Sequence, residues 1–127
     1  SRLRAGNASL TLFCDLPRSY GQVVQVQFLG RTAWFPRGPA EIAITGRAPL
    51  LPTISYFDGR RNVIEMERLV YPDLLVAESF QQAVQRITQQ LVDFLEHYLR
   101  RYPDQWRYLS SLPGYFMAEN GMDALAA

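Results

Sequence analysis

The span from Phe28 to Pro52, FLGRTAWFPRGPAEIAITGRAPLLP, constrains the fold most, because it sets a strand end, a proline-glycine break and a helix stop close together. Phe28-Leu29-Gly30 ends a strand and turns the chain. Trp34-Phe35 followed by Pro36-Arg37-Gly38-Pro39 reads as an exposed aromatic loop. Pro39 suits the first turn of a helix, where its missing N–H has no partner to lose. Ala40 to Thr45 then forms a short helix. Gly46 is the expected stop, since glycine tolerates the left-handed conformation. The span therefore reads strand, loop, short helix, loop, strand. In such units ligands gather where loops leave the strand ends. Arg31 and Arg37 place two fixed positive charges in the loop.

Upstream, Leu10-Thr11-Leu12-Phe13-Cys14 is an unbroken run without charge, and it predicts a buried central strand. Asp15 stands at its end, and a loop follows through Pro17, Ser19 and Gly21. Val24, Val26 and Phe28 alternate with Gln25 and Gln27, the period of a strand with one buried face. Downstream, a strand begins near Leu50 or Thr53. Asp58-Gly59 is a turn signal, and Ile64 and Met66 alternate with Glu65 and Glu67, so the two runs predict a hairpin. The longest regular element runs from about Glu78 to Arg101. Phe80, Val84, Ile87, Leu91, Phe94, Leu95, Tyr98 and Tyr102 fall on one stripe of a helix. Ser79 with Gln82 forms a capping box, Arg100 and Arg101 suit the helix dipole, and Pro103 ends the helix. The fold class is α/β: a mixed β-sheet with this long helix packed on it and a short helix after Gly38. Pro113 to Ala127 reads as an extension.

Composition narrows function by exclusion. A chain of 127 residues with 48% apolar residues is at most one domain. A net charge of +1 does not call for nucleic acid. All 13 basic residues are arginine, which suits phosphate and carboxylate groups but equally reflects codon preference. Cys14 is the single cysteine, so no internal disulfide forms, as in a reducing compartment. No apolar run approaches the ~20 residues that span a bilayer. One histidine and one cysteine do not make a metal site, and no phosphate-binding or dinucleotide fingerprint is present. No metal or cofactor is expected.

Asp15 is the strongest candidate for chemistry, since a side chain at the end of a central strand leaves the sheet toward a cleft; the plain alternative is an aspartate that starts a turn. Arg31 and Arg37 suit bidentate binding of phosphate oxygens, or are solvated surface groups. Gly38 and Pro39 open a helix whose free N–H groups face outward to an anion. His97 reads as a surface group and Cys14 as core. The aromatic residues line an acyl groove or pack the core.

Three segments carry a family resemblance. Phe28–Pro52, the run Leu12-Phe13-Cys14-Asp15 before Gly21, and Tyr102-Pro103-Asp104-Gln105-Trp106 together resemble the bacterial lipid A biosynthesis acyltransferases. They are closer still to relatives that acylate phosphatidylinositol mannosides. The likeness covers roughly Leu3 to Leu109. It implies the lysophospholipid acyltransferase fold, with residues 1–112 as the C-terminal part of an acyltransferase domain and residues 113–127 as a C-terminal extension. It implies an acyl-CoA or acyl carrier protein donor, a membrane glycolipid or phospholipid acceptor, and a peripheral place on the cytoplasmic face of the bacterial inner membrane. In that family the histidine of an HxxxxD motif is the general base, and an acidic residue at a strand end orients it. Asp15 matches that acidic position. The motif itself is absent: His97 is the only histidine and Tyr102 stands where the aspartate would. With a start at Ser1-Arg2-Leu3, the expectation is a C-terminal half, inactive alone, that pairs with an upstream catalytic half and self-associates through exposed apolar surface. A 1-acylglycerol-3-phosphate acyltransferase and a non-catalytic lipid-binding module remain open alternatives.

Overall fold

The computed structural model describes Leu3, residues 5–17 and residues 21–116. The expected α/β architecture is present, with its β-structure in two small antiparallel hairpins. Strand β1 (Val23–Phe28) pairs with β2 (Arg31–Pro36), helix α1 (Gly38–Gly46) follows, and β3 (Thr53–Phe57) pairs with β4 (Asn62–Met66). Helix α2 (Phe80–Arg101) comes next, then turns of 3-10 helix at Pro103–Gln105 and Leu109–Ser111, and helix α3 (Leu112–Tyr115).

The first hairpin corrects the loop expected at Trp34-Phe35-Pro36. Leu29 and Gly30 both take positive φ, 54° and 77°, so a two-residue turn sends the chain straight back as β2. Ala33 and Phe35 then face inward and are fully buried. Phe35 meets Phe28 edge-on at 4.9 Å. Leu29 lacks glycine's freedom at this φ, and the carboxylate of Glu96 steadies it by accepting its N–H at 2.6 Å.

Helix α2 organises the rest. Its capping box is formed as expected, with the Ser79 hydroxyl accepting the Gln82 N–H and Gln82 Oε1 accepting the Ser79 N–H. Its 22 residues span about 33 Å at ~1.5 Å per residue. Val92, Leu95 and Leu99 pack on the first hairpin with Val26, Phe28, Ala33, Phe35, Tyr115 and Phe116. Thus Tyr115 and Phe116, within the stretch expected as an extension, lie in the main core; residues 117–127 of that expectation lie outside the described residues. Val84 and Ile87 form a second core with Ala40 and Val70. Polar residues of α2 also close the outer edge of β1. Gln89 exchanges two hydrogen bonds with the backbone of Gln27, at 2.8 and 2.9 Å, and Gln85 Nε2 donates to the Gln25 carbonyl at 2.9 Å.

Three expectations change. Leu10–Cys14 is no strand: it forms no ladder among the described residues, and Leu10, Leu12 and Phe13 are 55%, 39% and 72% exposed. Both hairpins are complete without it, so its backbone has no neighbour to pair with. On β4 the inward face carries Val63 and Glu65, while Ile64 and Met66 are about two-thirds exposed. Finally, the left-handed residue closing α1 is Arg47, with φ 52°. Gly46 is buried, and a Cβ there would lie 3.3 Å from the Leu3 side chain, so glycine serves packing rather than the stop.

Candidate functional site

The run Leu12–Asp15 lies across from β3 and the C-terminal half of α2, and a cleft of about 310 Å³ opens between them. Leu12, Ile54, Phe94, Leu95 and Leu99 give it apolar walls. Asp15 stands at one end. Its Oδ2 accepts the indole N–H of Trp106 at 2.9 Å, and its backbone carbonyl accepts the hydroxyl of Tyr115. Trp106 is aimed there because Pro103 ends α2 and starts the tight Pro103–Gln105 turn. No hydrogen bond reaches Oδ1 among the described residues, so that oxygen is left to orient another group.

Asp15 also shapes its neighbours. Burial first, and then the Asp15 charge, push the Cys14 thiol up to about 11. It stays protonated near neutral pH and is a poor nucleophile there. Burial followed by the same charge raises the Tyr115 hydroxyl well above its ordinary value. On the opposite side, the Glu65 carboxylate accepts the hydroxyls of both Tyr56 and Tyr98 and holds the second hairpin to α2. These bonds, from Tyr56 first, lower Glu65, while Glu65 pushes Tyr98 up to about 12. Sequence alternation hides this cluster, because it places the glutamates outside.

The expected binding residues divide. Arg37, Gly38 and Pro39 line a second cleft of about 480 Å³ on the other side of Leu12 and Phe13. Arg37 is already engaged, with Glu41 at 3.2 Å and with Gln81. Glu41 also puts negative charge on the first turn of α1, where an anion would sit. Arg31 lies at the far end of β2, its guanidinium 3.9 Å from the centre of the Phe116 ring. Its Nε is buried without a hydrogen-bond partner among the described residues. Six residue-to-residue steps of largely extended chain separate the two arginines, about 20 Å at ~3.3 Å per step. They do not share one phosphate. His97 is exposed on α2 with its ring against Tyr98, as expected of a surface group. Among the described residues no three His, Cys, Asp or Glu side chains gather as metal ligands, and no helix is long and apolar enough to cross a membrane.

The site thus offers one oriented carboxylate, apolar walls and no imidazole beside them. A family model described as bacterial lipid A biosynthesis acyltransferase matches residues 1–112. The phosphatidylinositol mannoside acyltransferases of two Mycobacterium tuberculosis strains, CDC 1551 / Oshkosh and ATCC 25618 / H37Rv, are each 35% identical over 86 residues. The match covers 68% of this chain and 25% of each relative, so the chain spans about a quarter of the length of the curated relatives it matches. Both core segments of the site, Leu12–Asp15 and Tyr102–Trp106, fall inside the matched residues, and the chain belongs to the bacterial lipid A biosynthesis acyltransferase family.

Proposed function

We propose that this chain is part of an enzyme that moves a fatty acyl group from an acyl thioester to a hydroxyl of a membrane glycolipid, of the phosphatidylinositol mannoside or lipid A precursor type. The donor is acyl-CoA or an acyl carrier protein. The hydroxyl oxygen attacks the thioester carbonyl, the carbon–sulfur bond breaks, and the hydroxyl proton passes through a general base to the departing thiolate. The carrying observation is Asp15, fixed by Trp106 at the end of an apolar cleft inside the family match. A carboxylate held this way orients an imidazole and stabilises it when protonated.

The imidazole is not His97, which is exposed on α2 and does not line the cleft. In this reading it comes from an HxxxxD segment elsewhere in the polypeptide, and the enzyme works peripherally at the cytoplasmic face of the bacterial inner membrane. Arg37, Gly38 and Pro39 serve the phosphate side of donor or acceptor, and Arg31 serves structure through Phe116. The test compares the full-length gene product with the 127-residue chain, using radiolabelled acyl-CoA and phosphatidylinositol mannoside. Labelled lipid should form with the former and not the latter. Turnover by the short chain that disappears with His97→Ala would overturn this reading.

A further inference from the structure

The cleft beside Asp15 is bounded by unpaired backbone on two sides. On β3, the ladder with β4 uses the N–H and C=O groups of Ile54 and Tyr56, and the flanking bonds of Pro52 with Glu67 and Asp58 with Arg61 continue it. Thr53, Ser55 and Phe57 therefore turn their backbone groups the other way. Gln105 satisfies Phe57, accepting its N–H at 2.7 Å and donating to its carbonyl at 2.8 Å. The outward backbone groups of Thr53 and Ser55 have no partner among the described residues. Opposite lies Leu10–Cys14, with Leu10, Leu12 and Phe13 exposed and with no backbone–backbone hydrogen bond along it among the described residues. Gln105 holds the carboxyl end of β3, and its neighbour Trp106 holds Asp15, the carboxyl end of the facing run. The carboxyl ends of the two walls are thus held side by side.

We infer that this cleft is a slot for one β-strand of the same polypeptide, pairing with β3 on one side and Leu10–Cys14 on the other. This rests on the proposed reading of the chain as part of a longer acyltransferase. The chain spans about a quarter of its curated relatives, so such a polypeptide has strands to give. The chemistry favours a strand over an acyl chain. An acyl chain offers no hydrogen bonds and would bury the Thr53 and Ser55 groups unpaired, whereas a strand satisfies both walls at once. Leu12 and Phe13 would then take the central-strand place that their composition suits. Asp15 would stand at the carboxyl edge of one continuous sheet, where ligands of such sheets bind.

Amide hydrogen exchange, measured on the 127-residue chain and on the full-length gene product, tests this. The Thr53 and Ser55 amides, and whichever of the alternating Leu12 and Phe13 amides faces the slot, should exchange about 100-fold more slowly in the full-length protein, as paired strands do relative to open edges. Equal exchange in both proteins overturns the inference. So does protection that appears only when long-chain acyl-CoA is added, which marks an acyl groove. Ser55→Pro gives a second reading, since it deletes an outward N–H and no β3–β4 bond. It should lower the melting temperature of the full-length protein and leave that of the short chain nearly unchanged; an equal drop in both counts against the slot. A protected but inactive full-length protein would refute the acyltransferase reading and leave the slot standing.

Discussion

Trp106 donates its indole N–H to the Asp15 carboxylate at 2.9 Å, joining residues 91 positions apart. The bond ties the segment after α2 to the run before β1, beside a Tyr115 hydroxyl that holds the Asp15 carbonyl. Trp106→Phe keeps the ring packing against Phe28 and Tyr115 and removes the donor. A hydrogen bond to a charged group contributes about 1.5–3 kcal/mol. Because Asp15 is only half-buried, the lower end of that range is expected in urea unfolding of the chain. No change in the unfolding midpoint would mean that water replaces the indole without loss.

Asp15→Asn separates catalysis from folding. Asparagine keeps an oxygen to accept the Trp106 N–H and leaves the Tyr115 bond to the backbone in place. It removes the charge that would stabilise an imidazolium. In the serine-protease triad the equivalent change costs about 10⁴ in rate; a site open to water gives a smaller loss. In the full-length protein kcat should fall at least tenfold (about 1.4 kcal/mol in barrier), with KM and melting temperature nearly unchanged. Normal turnover with a lowered melting temperature would make Asp15 a turn residue.

Much of this architecture is legible from local rules, and the exceptions have a common cause. The capping box at Ser79, the end of α2 at Pro103 and the Asp58-Gly59 turn are fixed by neighbouring residues, and all three stand as read. Leu10–Cys14 carries the pattern of a central strand, but a strand needs a neighbour, which pattern does not supply. Trp34-Phe35 looked like a loop because Leu29 hides a two-residue turn that asparagine would have announced. Glu65 reads as solvent-facing by alternation, and only the distant Tyr98 hydroxyl explains its inward position. The Asp15–Trp106 contact was present as two separate weak motifs; nothing in the spacing alone says that they touch.

Gln89→Ala tests the closure of the β1 edge. Gln89 donates to the Gln27 carbonyl and accepts the Gln27 N–H, which is what a neighbouring strand would do. The site is exposed enough for water to take over both groups, so the stability loss is small, about 1 kcal/mol. The larger effect is on association, because an open strand edge is a template for pairing with another chain. Light scattering should show more dimer or larger assembly for the variant at equal concentration. An unchanged mass with unchanged stability would show that α2 covers the edge without those bonds.

The Glu65 cluster sets the pH limits of the second hairpin. The hydroxyls of Tyr56 and Tyr98 lower Glu65, so its folded carboxyl holds its proton less tightly than the unfolded one. That contribution is complete above the ordinary glutamate value and is lost as pH falls through the lowered one. Tyr98 moves the other way, up to about 12, because ionising it would break its bond to Glu65 and set two negative charges together. Its contribution is complete below the ordinary tyrosine value of 10.0 and is lost as pH rises from there toward about 12. The melting temperature should therefore fall on both the acid and the alkaline side. Tyr98→Phe should reduce both limbs in part, because Tyr56 still lowers Glu65 and is itself raised by that bond, and Tyr115, raised by burial, keeps a further share of the alkaline one. Thermal melts of the two proteins from pH 3 to pH 12 decide it, and parallel curves would show that the cluster holds the hairpin by packing of the rings rather than through the shared carboxylate.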